Sequence, residues 1–130
     1  MRALLPPGWP RPRGYSNGIS ARGRMIFTSG VVGWNAEERF ETDDLAGQLR
    51  QVLANILAIL SEGGAGPEHI VRMTWYVTDI DEYRSSLAAI GTVYRELIGK
   101  HFPTMAVVQV SALVEPQAKI EIEATAVVPE

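Results

Sequence analysis

The segment between Lys119 and Val127 alternates apolar and polar side chains, and no other part of the sequence restricts the fold as strongly. Its apolar members are Ile120, Ile122, Ala124 and Ala126, and its polar members are Lys119, Glu121, Glu123 and Thr125. A period of two is typical of a β-strand with one buried and one exposed face. Such a strand belongs to a sheet whose apolar face is covered by another layer. We therefore predict a layered fold that contains a sheet.

Two amphipathic helices are predicted to supply the covering layer. The first runs from about Asp43 to Glu62, with Thr42 or Asp43 as its cap and Gly63-Gly64 at its end. Its apolar stripe consists of Leu45, Leu49, Val52, Leu53, Ile56 and Leu60. The second opens at Asp79, because Asp79 followed by Glu82 resembles a capping box. Its stripe consists of Tyr83, Leu87, Ile90, Tyr94 and Leu97.

Four further segments are predicted to be strands. Ser16–Arg22 and Arg24–Ser29 are joined by a turn at Gly23. Val71–Thr78 again has a period of two, whereas Met105–Leu113 is mostly apolar on both faces. The resulting order is β-β-α-β-α-β-β. This order predicts an α+β fold with the two helices on one face of a mixed sheet.

Residues 1–130 are predicted to form one domain, since no repeat or low-complexity linker divides them. The prolines near the start indicate that residues 1–13 form an irregular, extended arm. Two helices can cover only one face of the sheet, yet Met105–Leu113 offers apolar side chains to both faces. We therefore expect the uncovered face to meet another subunit rather than water.

Composition restricts the kind of site that the chain can hold. There is no cysteine, so disulfides, thiolate metal sites and cysteine nucleophiles are excluded. The net charge is −3, and four arginines between residues 11 and 24 are interpreted as a solvated edge, with an anion site as the alternative. Nucleic-acid binding is therefore not expected. His69 and His101 lack metal-ligand spacing, so no metal is expected. Without a membrane-spanning stretch or a secretory signal, the sequence favours a cytoplasmic protein with no membrane partner.

Five short motifs occur in a fixed order along the chain. They are Gly14-Tyr15-Ser16-Asn17, Thr28-Ser29-Gly30-Val31-Val32, Gln51-Val52-Leu53-Ala54-Asn55, Ile70-Val71-Arg72-Met73-Thr74 through Thr78-Asp79, and Lys119-Ile120-Glu121-Ile122-Glu123-Ala124. Together they resemble the RidA (YjgF/YER057c/UK114) family over nearly the whole chain from Gly14. The resemblance implies a chorismate-mutase-like fold and a homotrimer around a central barrel, with clefts between subunits. It also implies hydrolysis of small reactive 2-imino or 2-enamino acids without a metal or cofactor.

The resemblance further implies roles for individual residues. Glu121 matches the family's acid that positions or activates water, and Tyr15 matches a tyrosine that shapes the cleft. Substrate contacts are implied for Ser29, Gly30, Val31, Trp34, Met105 and Ala106. The pattern alone leaves other interpretations open. Glu121 also fits a solvated strand face, Tyr15 also fits an anchor for the arm, and Ser29 and Gly30 also fit a plain strand end. Trp34 fits either a pocket wall or a trimer-packing residue.

Several departures from the family's pattern bear on the substrate. Met105 stands where the family's arginine is expected, and a thioether offers a carboxylate neither a charge nor a donor. Gly91 stands where an asparagine is expected, on a second helix that is longer by about one turn (~3.6 residues). Trp34 replaces an aliphatic residue. The chain thus resembles an arginine-lacking branch with a more apolar cleft, unless a different arginine compensates by reaching the cleft: Arg11, Arg13 or Arg72.

Three functions are compatible with the sequence. The leading hypothesis is hydrolytic deamination of a reactive imine or enamine, such as a 2-aminomuconate-like catabolite of an aromatic amine, to a carbonyl compound and ammonia. The second is a non-catalytic trimer that binds a small metabolite and lost its deaminase activity with the arginine. The third is endoribonuclease or translation-inhibitor activity, against which the acidic balance argues.

Overall fold

A computed structural model of the chain describes all of residues 1–130. The strands are β1 (Arg2–Leu4), β2 (Gly18–Ser20), β3 (Arg24–Phe27), β4 (Val31–Val32), β5 (Ile70–Val77), β6 (Thr104–Gln109) and β7 (Ile120–Val128). The helices are α1 (Leu45–Glu62), α2 (Ile80–Ser85) and α3 (Leu87–Leu97), and a 3-10 turn spans Pro67–His69. No helix combines the length and the hydropathy that a bilayer span requires.

The main sheet contains five strands. Its order is β3-β7-β5-β6, and β4 pairs with a further stretch of β7. Strand β7 is antiparallel to β3, β4 and β5, whereas β5 and β6 are parallel. Strands β1 and β2 form a separate two-stranded antiparallel ribbon. The predicted α+β class with a mixed sheet is confirmed.

Strand β7 separates the two faces of the sheet as its sequence predicts. Four of its apolar side chains belong to the core that α1 and α3 share with the sheet, and each is at most 4% exposed: Ile120, Ile122, Ala124 and Ala126. Glu121, Glu123 and Thr125 lie on the other face, named the open face below. On the same face the edge strand β3 leaves Met25 and Phe27 exposed at 56% and 65%. The open face is therefore polar in its middle and apolar at this edge.

Helix α1 has the predicted apolar stripe, but its cap differs from the prediction. The buried stripe is Leu45, Leu49, Val52, Leu53, Ile56 and Leu60. The cap is Asp44 rather than Thr42 or Asp43, since the Asp44 carboxylate accepts the backbone N–H of Gly47 at 2.9 Å. The Thr42 hydroxyl instead accepts the backbone N–H of Asp44 at 3.0 Å. Both acceptors serve N–H groups at the helix start, where intrahelical partners are missing.

The second predicted helix is divided in two, so the structure has three helices rather than two. Helix α2 ends at Ser85, and Ser86, with φ −106° and ψ 10°, separates it from α3, which begins at Leu87. Asp79 caps α2 by accepting the backbone N–H groups of Asp81 and Glu82 at 3.0 and 3.1 Å. The reciprocal half of the predicted capping box is missing, because Glu82 accepts from Lys119 Nζ at 2.9 Å instead.

The N-terminal region is more regular than the sequence predicts. Residues 1–13 are not irregular throughout, since β1 pairs with β2 in register from Arg2↔Ser20 to Leu4↔Gly18. A three-residue strand carries too short a pattern to be recognised by its periodicity. The predicted strand Ser16–Arg22 is shortened to β2, and it pairs with β1 rather than with β3. The predicted strand Met105–Leu113 likewise ends early, at Gln109.

One buried polar side chain joins α1 to the start of β7. Gln48 is fully buried. Its amide nitrogen donates to the backbone oxygens of Thr42 at 3.1 Å and Gln117 at 2.9 Å, and its amide oxygen accepts the backbone N–H of Lys119 at 2.8 Å. These bonds satisfy a side chain that would otherwise be costly to bury. They also fix the backbone of the residue that precedes β7.

Candidate functional site

The predicted site residues fall into two groups on opposite faces of the sheet. Tyr15 and Met105 line a cavity on the helix-covered face, named the aromatic cavity. Glu121 lies on the open face against the loop Ser29–Val31, and this region is named the Gly30 corner. Strands β6 and β7, which carry Met105 and Glu121, are separated by β5. Two strand spacings amount to roughly 10 Å, so one chain does not bring these two side chains together.

The aromatic cavity has a volume of about 460 Å³, within the range of small-molecule pockets. It lies between the edge strand β6, helices α2 and α3, and the end of the N-terminal arm. The strands contribute Trp75, Met105 and Val107, the helices contribute Tyr83, Leu87, Ile90, Gly91, Tyr94 and Arg95, and the arm contributes Arg13, Gly14 and Tyr15. Phe102, just before β6, completes the lining.

Four aromatic rings are in contact around this cavity. Trp75 meets Tyr83 edge-on and Tyr94 at a tilt, in both cases with ring centroids 6.4 Å apart, and Tyr94 stacks on Phe102 at 6.0 Å. Burial raises the pKa of Tyr83 and of Tyr94, so both rings stay neutral at physiological pH. The Tyr94 hydroxyl donates to the backbone oxygen of His101 at 2.6 Å. The walls are thus apolar, and their ring positions are mutually fixed.

The indole N–H of Trp75 is a buried donor without a hydrogen-bond partner in the chain. Such donors are rare in folded proteins, because an unmade hydrogen bond leaves the full cost of removing the donor from water. Trp75 belongs to the lining of the aromatic cavity. The nitrogen is inaccessible to solvent, so this unmade hydrogen bond is a cost of the packing around Trp75.

Tyr15 reaches the aromatic cavity because the arm is tied to the segment before β6. The Ser16 hydroxyl donates to the backbone oxygen of Phe102 at 2.5 Å, and the Ser16 backbone N–H donates to Pro103 at 3.1 Å. Tyr15 itself remains 43% exposed. Its side chain is therefore accessible to a ligand, while the bonds that anchor the arm belong to its neighbour Ser16.

Met105 forms part of the cavity floor because of its strand register. It pairs with the buried Met73, so both side chains lie on the helix-covered face. The next residue, Ala106, pairs with Thr74 and lies on the open face. Ala106 therefore does not line the aromatic cavity, although the sequence grouped it with Met105.

Two arginines line the aromatic cavity. Of the three considered as substitutes for the missing arginine, Arg13 is in the lining, whereas Arg11 and Arg72 are not. The second is Arg95 on α3, which the sequence did not single out. Its spacing of four residues from Gly91 was the available signal, since such residues share one face of a helix. No aspartate or glutamate lines the cavity.

The Gly30 corner is built around the carboxylate of Glu121. A Cβ at Gly30 would overlap Oε2 of Glu121, so the missing side chain allows the carboxylate to lie directly over the loop backbone. Thr28 fixes this loop on β7, because its backbone N–H and its hydroxyl bond the carbonyl and the N–H of Ala124 at 2.9 and 3.0 Å. Ser29 and Gly30 are exposed. A ligand at the loop therefore meets both backbone groups and a carboxylate.

A groove of about 430 Å³ adjoins the Gly30 corner, between the loop and α1. Ser29, Gly30, Val31 and Trp34 belong to its lining. Trp34 is held there by Phe40, whose ring centroid is 6.0 Å away, and by Asn55, whose side-chain nitrogen donates to the backbone oxygen of Trp34 at 2.8 Å. Of the predicted loop residues, these four therefore share one surface.

Two carboxylates on β7 share the open face but differ in their partners. Glu123 accepts a hydrogen bond from the Tyr76 hydroxyl at 2.8 Å. This hydrogen bond is the main reason why the pKa of Tyr76 is raised, with burial and the charges of Glu123 and Glu121 adding to it. Glu121 has no such donor in the chain, and its carboxylate lies against the backbone of Gly30. Glu121 is therefore the carboxylate available to water or to a ligand.

The remaining candidates are not part of the lining of either region. A cavity of about 810 Å³ between residues 40–43 and the loop 111–119 contains none of the predicted site residues. His69 Nδ1 accepts the backbone N–H of Gly66 at 2.9 Å, and His101 Nε2 lies 2.6 Å from the backbone oxygen of Ile70. No group of three or more His, Asp or Glu side chains is arranged to hold a metal ion.

Comparisons with known proteins agree on one family. The profile described as Endoribonuclease L-PSP matches residues 10–128. The chain is 34% identical over 116 residues to the 2-iminobutanoate/2-iminopropanoate deaminase of Escherichia coli (strain K12), covering 87% of this chain and 86% of that protein. The Rid-family protein YyfB of Yersinia pestis has a similar structure, with a TM-score of 0.85, 33% identity and 98% of both chains covered. E. coli TdcF, solved with bound serine, gives a TM-score of 0.70 at 31% identity, over 98% of this chain and 99% of that chain.

Proposed function

The chain belongs to the Endoribonuclease L-PSP family, which includes the Rid (YjgF/YER057c/UK114) proteins, and on that premise we propose that it hydrolyses a reactive imine or enamine. The E. coli relative named as an imine deaminase supports this class of reaction. An enamine first takes a proton on carbon and becomes an imine. Water then adds to the carbon of the C=N bond, the C–N bond breaks, and the products are a carbonyl compound and ammonia.

The observation that carries the proposal is the position of the Glu121 carboxylate over the backbone of Gly30. In the proposed mechanism this carboxylate accepts a proton from the attacking water and returns it to the leaving nitrogen. Its freedom from hydrogen-bond donors within the chain leaves its oxygens available, in contrast to Glu123. The backbone groups of Ser29, Gly30 and Val31 hold the reacting end of the substrate beside it.

The aromatic cavity receives the rest of the substrate in this proposal. Tyr15, an exposed residue of the lining, donates a hydrogen bond from its hydroxyl, and Met105 forms an apolar floor. Trp34 forms the wall of the groove beside the Gly30 corner. Ala106, on the open face, joins the subunit interface instead of the cleft.

We further propose that the two regions meet across the subunit boundaries of a homotrimer. Within one chain they lie on opposite faces of the sheet and two strands apart, so a single chain has no complete site. The open face carries exposed apolar side chains at both edges, Met25 and Phe27 on β3 and Val108 on β6, which an interface would cover. Light scattering at micromolar concentration should give three times the 14.3 kDa chain mass. A stable monomer would remove the shared site.

The activity is tested with imines made in situ. An amino acid oxidase converts a panel of amino acids into their 2-imino acids, and release of the 2-oxo acid is followed with and without the protein. The expected result is hydrolysis faster than the spontaneous rate for at least one imine. A 2-aminomuconate-like enamine belongs in the same panel, as a member of the class that the sequence favoured. No acceleration for any member would leave a non-catalytic binding trimer as the better interpretation.

A ribonuclease function has less support, although the family's description contains that activity. Arg13 and Arg95 face a single cavity instead of forming a basic stripe. The open face presents Glu121 and Glu123, which would repel a phosphate backbone. The net charge of −3 adds to this repulsion.

A further inference from the structure

We infer that Arg95 on α3 binds a carboxylate in the aromatic cavity, and that the ligand carries a bulky apolar group beside that carboxylate. The inference rests on the proposed deaminase function and narrows its substrate to 2-imino acids with large apolar or aromatic side chains. It also places the partner of the ligand's carboxylate on a helix, since Met105 offers a carboxylate no partner on the sheet.

Gly91 leaves room for the guanidinium of Arg95 on this side of α3. The two residues are four apart on α3, so they lie on one side of the helix, and both line the cavity. A Cβ built at Gly91 would lie 3.3 Å from Nη1 of Arg95, which is already tighter than ordinary contact. Any longer side chain at position 91 would compete with the guanidinium for this place. Glycine at 91 and arginine at 95 therefore act together, and the helix is a firmer support than the arm that carries Arg13.

The charge of the cavity favours an anion. Arg13 and Arg95 both line it, no carboxylate does, and neither arginine forms an ion pair within the chain. An arginine can hold a carboxylate through two parallel hydrogen bonds. The ligand group that this arrangement fits is therefore a carboxylate, with Arg95 as its principal partner and Arg13 nearby.

The rest of the lining favours an apolar body. Nine of the thirteen lining residues are hydrophobic, and the floor is formed by Trp75, Met105 and Val107. A two- or three-carbon side chain would fill little of a cavity of about 460 Å³, whereas an aromatic one would cover the floor and remove it from water.

The test measures binding, which needs no turnover. Titration calorimetry on the full-length protein compares phenylpyruvate with its uncharged methyl ester, with 2-oxobutanoate and with the dicarboxylate 2-oxoadipate. Phenylpyruvate should bind more tightly than the other three. Arg95→Gln should raise its Kd by roughly ten- to a hundredfold, since one charge-assisted contact is lost, and should leave the ester unchanged. Gly91→Asn should also raise the Kd for phenylpyruvate, because the new side chain competes with the Arg95 guanidinium for space.

Two matched variants distinguish carboxylate binding by Arg95 from a general effect of removing an arginine. Arg84→Gln removes an exposed arginine from α2 that pairs with Asp81 outside the cavity, and it should leave the Kd unchanged. Arg95→Lys keeps the charge but not the two-pronged geometry, and it should give an intermediate Kd. Arg95 is exposed, so these variants should keep the melting temperature and the oligomeric mass of the parent protein.

The outcomes distinguish the inference from the proposed function. A Kd for phenylpyruvate that is the same in Arg95→Gln and the parent overturns the role of Arg95. If 2-oxobutanoate or 2-oxoadipate binds more tightly than phenylpyruvate, the inference that the ligand carries a bulky apolar group is wrong. A protein that binds phenylpyruvate through Arg95 but accelerates the hydrolysis of no imine overturns the deaminase proposal and leaves the anchor intact.

Discussion

The aromatic cavity and the Gly30 corner differ in almost every physical respect. The cavity is lined by packed rings and two guanidinium groups and contains no acid. The corner is an exposed loop with a carboxylate lying over its backbone, and no lysine or arginine lines the groove beside it. The cavity can hold a ligand but offers no group suited to activating water. The corner offers such a group but little enclosed apolar surface.

This difference indicates that the aromatic cavity binds the ligand and that the Gly30 corner carries out the proton transfer. Binding needs buried area and fixed donors, which the core-facing side of the sheet provides. Proton transfer needs a carboxylate that is accessible and not already engaged, which the open face provides. Because one chain keeps the two on opposite faces, activity should depend on contact between chains. The following predictions test that separation, beginning with the largest effect.

Glu121→Gln should lower kcat by about 10²–10⁴-fold, the usual contribution of a general base. The matched variant Glu123→Gln should retain most of the activity, because the Glu123 carboxylate already accepts a hydrogen bond from the Tyr76 hydroxyl. Both residues lie on the open face, so the two swaps are comparable in their effect on the fold. The measurement is kcat on the best imine of the panel, with the melting temperature as a control. Equal activity in both variants and the parent would leave the corner without a chemical role.

Gly30→Ala should lower kcat by roughly a hundredfold, since small misplacements of a reacting group can cost that much. The added methyl would overlap the carboxylate of Glu121 and push it off the loop. Gly18→Ala is the control, because its new Cβ would lie no closer than 3.4 Å to Leu4. The Kd for phenylpyruvate should be the same in both variants. A loss of binding in Gly30→Ala would show that the two regions are not separable in function.

Met105→Arg should raise kcat/KM for 2-iminobutanoate by about ten- to a hundredfold. The new guanidinium would add a second partner for the carboxylate, on the cavity floor, for short imino acids that gain little from the apolar lining. Val114→Arg, on a residue that is 92% exposed in a loop, controls for the added charge. A gain with Val114→Arg as large as that with Met105→Arg would point to the overall charge instead of the cavity.

Mixed trimers should recover activity from two inactive variants. Glu121→Gln disables the corner, and Gly91→Phe fills the cavity, so each pure trimer is expected to be inactive. In a random mixture of equal amounts, about three quarters of the trimers contain both variants. In each of these mixed trimers about one of the three sites combines an intact cavity with an intact corner, so the mixture should have about a quarter of the parental activity. Activity no higher than that of the separate variants, in trimers shown to have mixed, would place both regions in a site within one chain.

The helices and strands whose hydrophobic pattern continues over many residues were predictable from sequence. Helix α1 and strands β5 and β7 appear where their stripes and alternation indicate, because tertiary packing reinforced the local pattern. The break at Ser86 was missed because the apolar spacing runs through it unchanged from Tyr83 to Leu97. Strands β1 and β4 have three and two residues, too few for a period, and they exist only through their partners β2 and β7.

The candidate site was less accessible to sequence reasoning than the fold. Met105 and Glu121 were singled out through the resemblance, but their placement on opposite faces follows from strand order and register. Periodicity along one strand does not determine which strands become neighbours. Arg95 was missed for the same reason, since its proximity to Met105 exists only after α3 docks against the sheet edge.

The three hydrogen bonds of Gln48 have a consequence for insertions and deletions. A shift of one residue in the pairing of β7 would turn Glu121 into the core and expose its apolar neighbours. Gln48 of α1 binds the backbone at Gln117 and Lys119, at the end of the β6–β7 loop. These bonds fix the register of β7, so the register does not depend on the length of that loop. Residues 110–116 can therefore gain or lose length over evolution, and reshape the adjoining cavity of about 810 Å³, while the carboxylate stays in place.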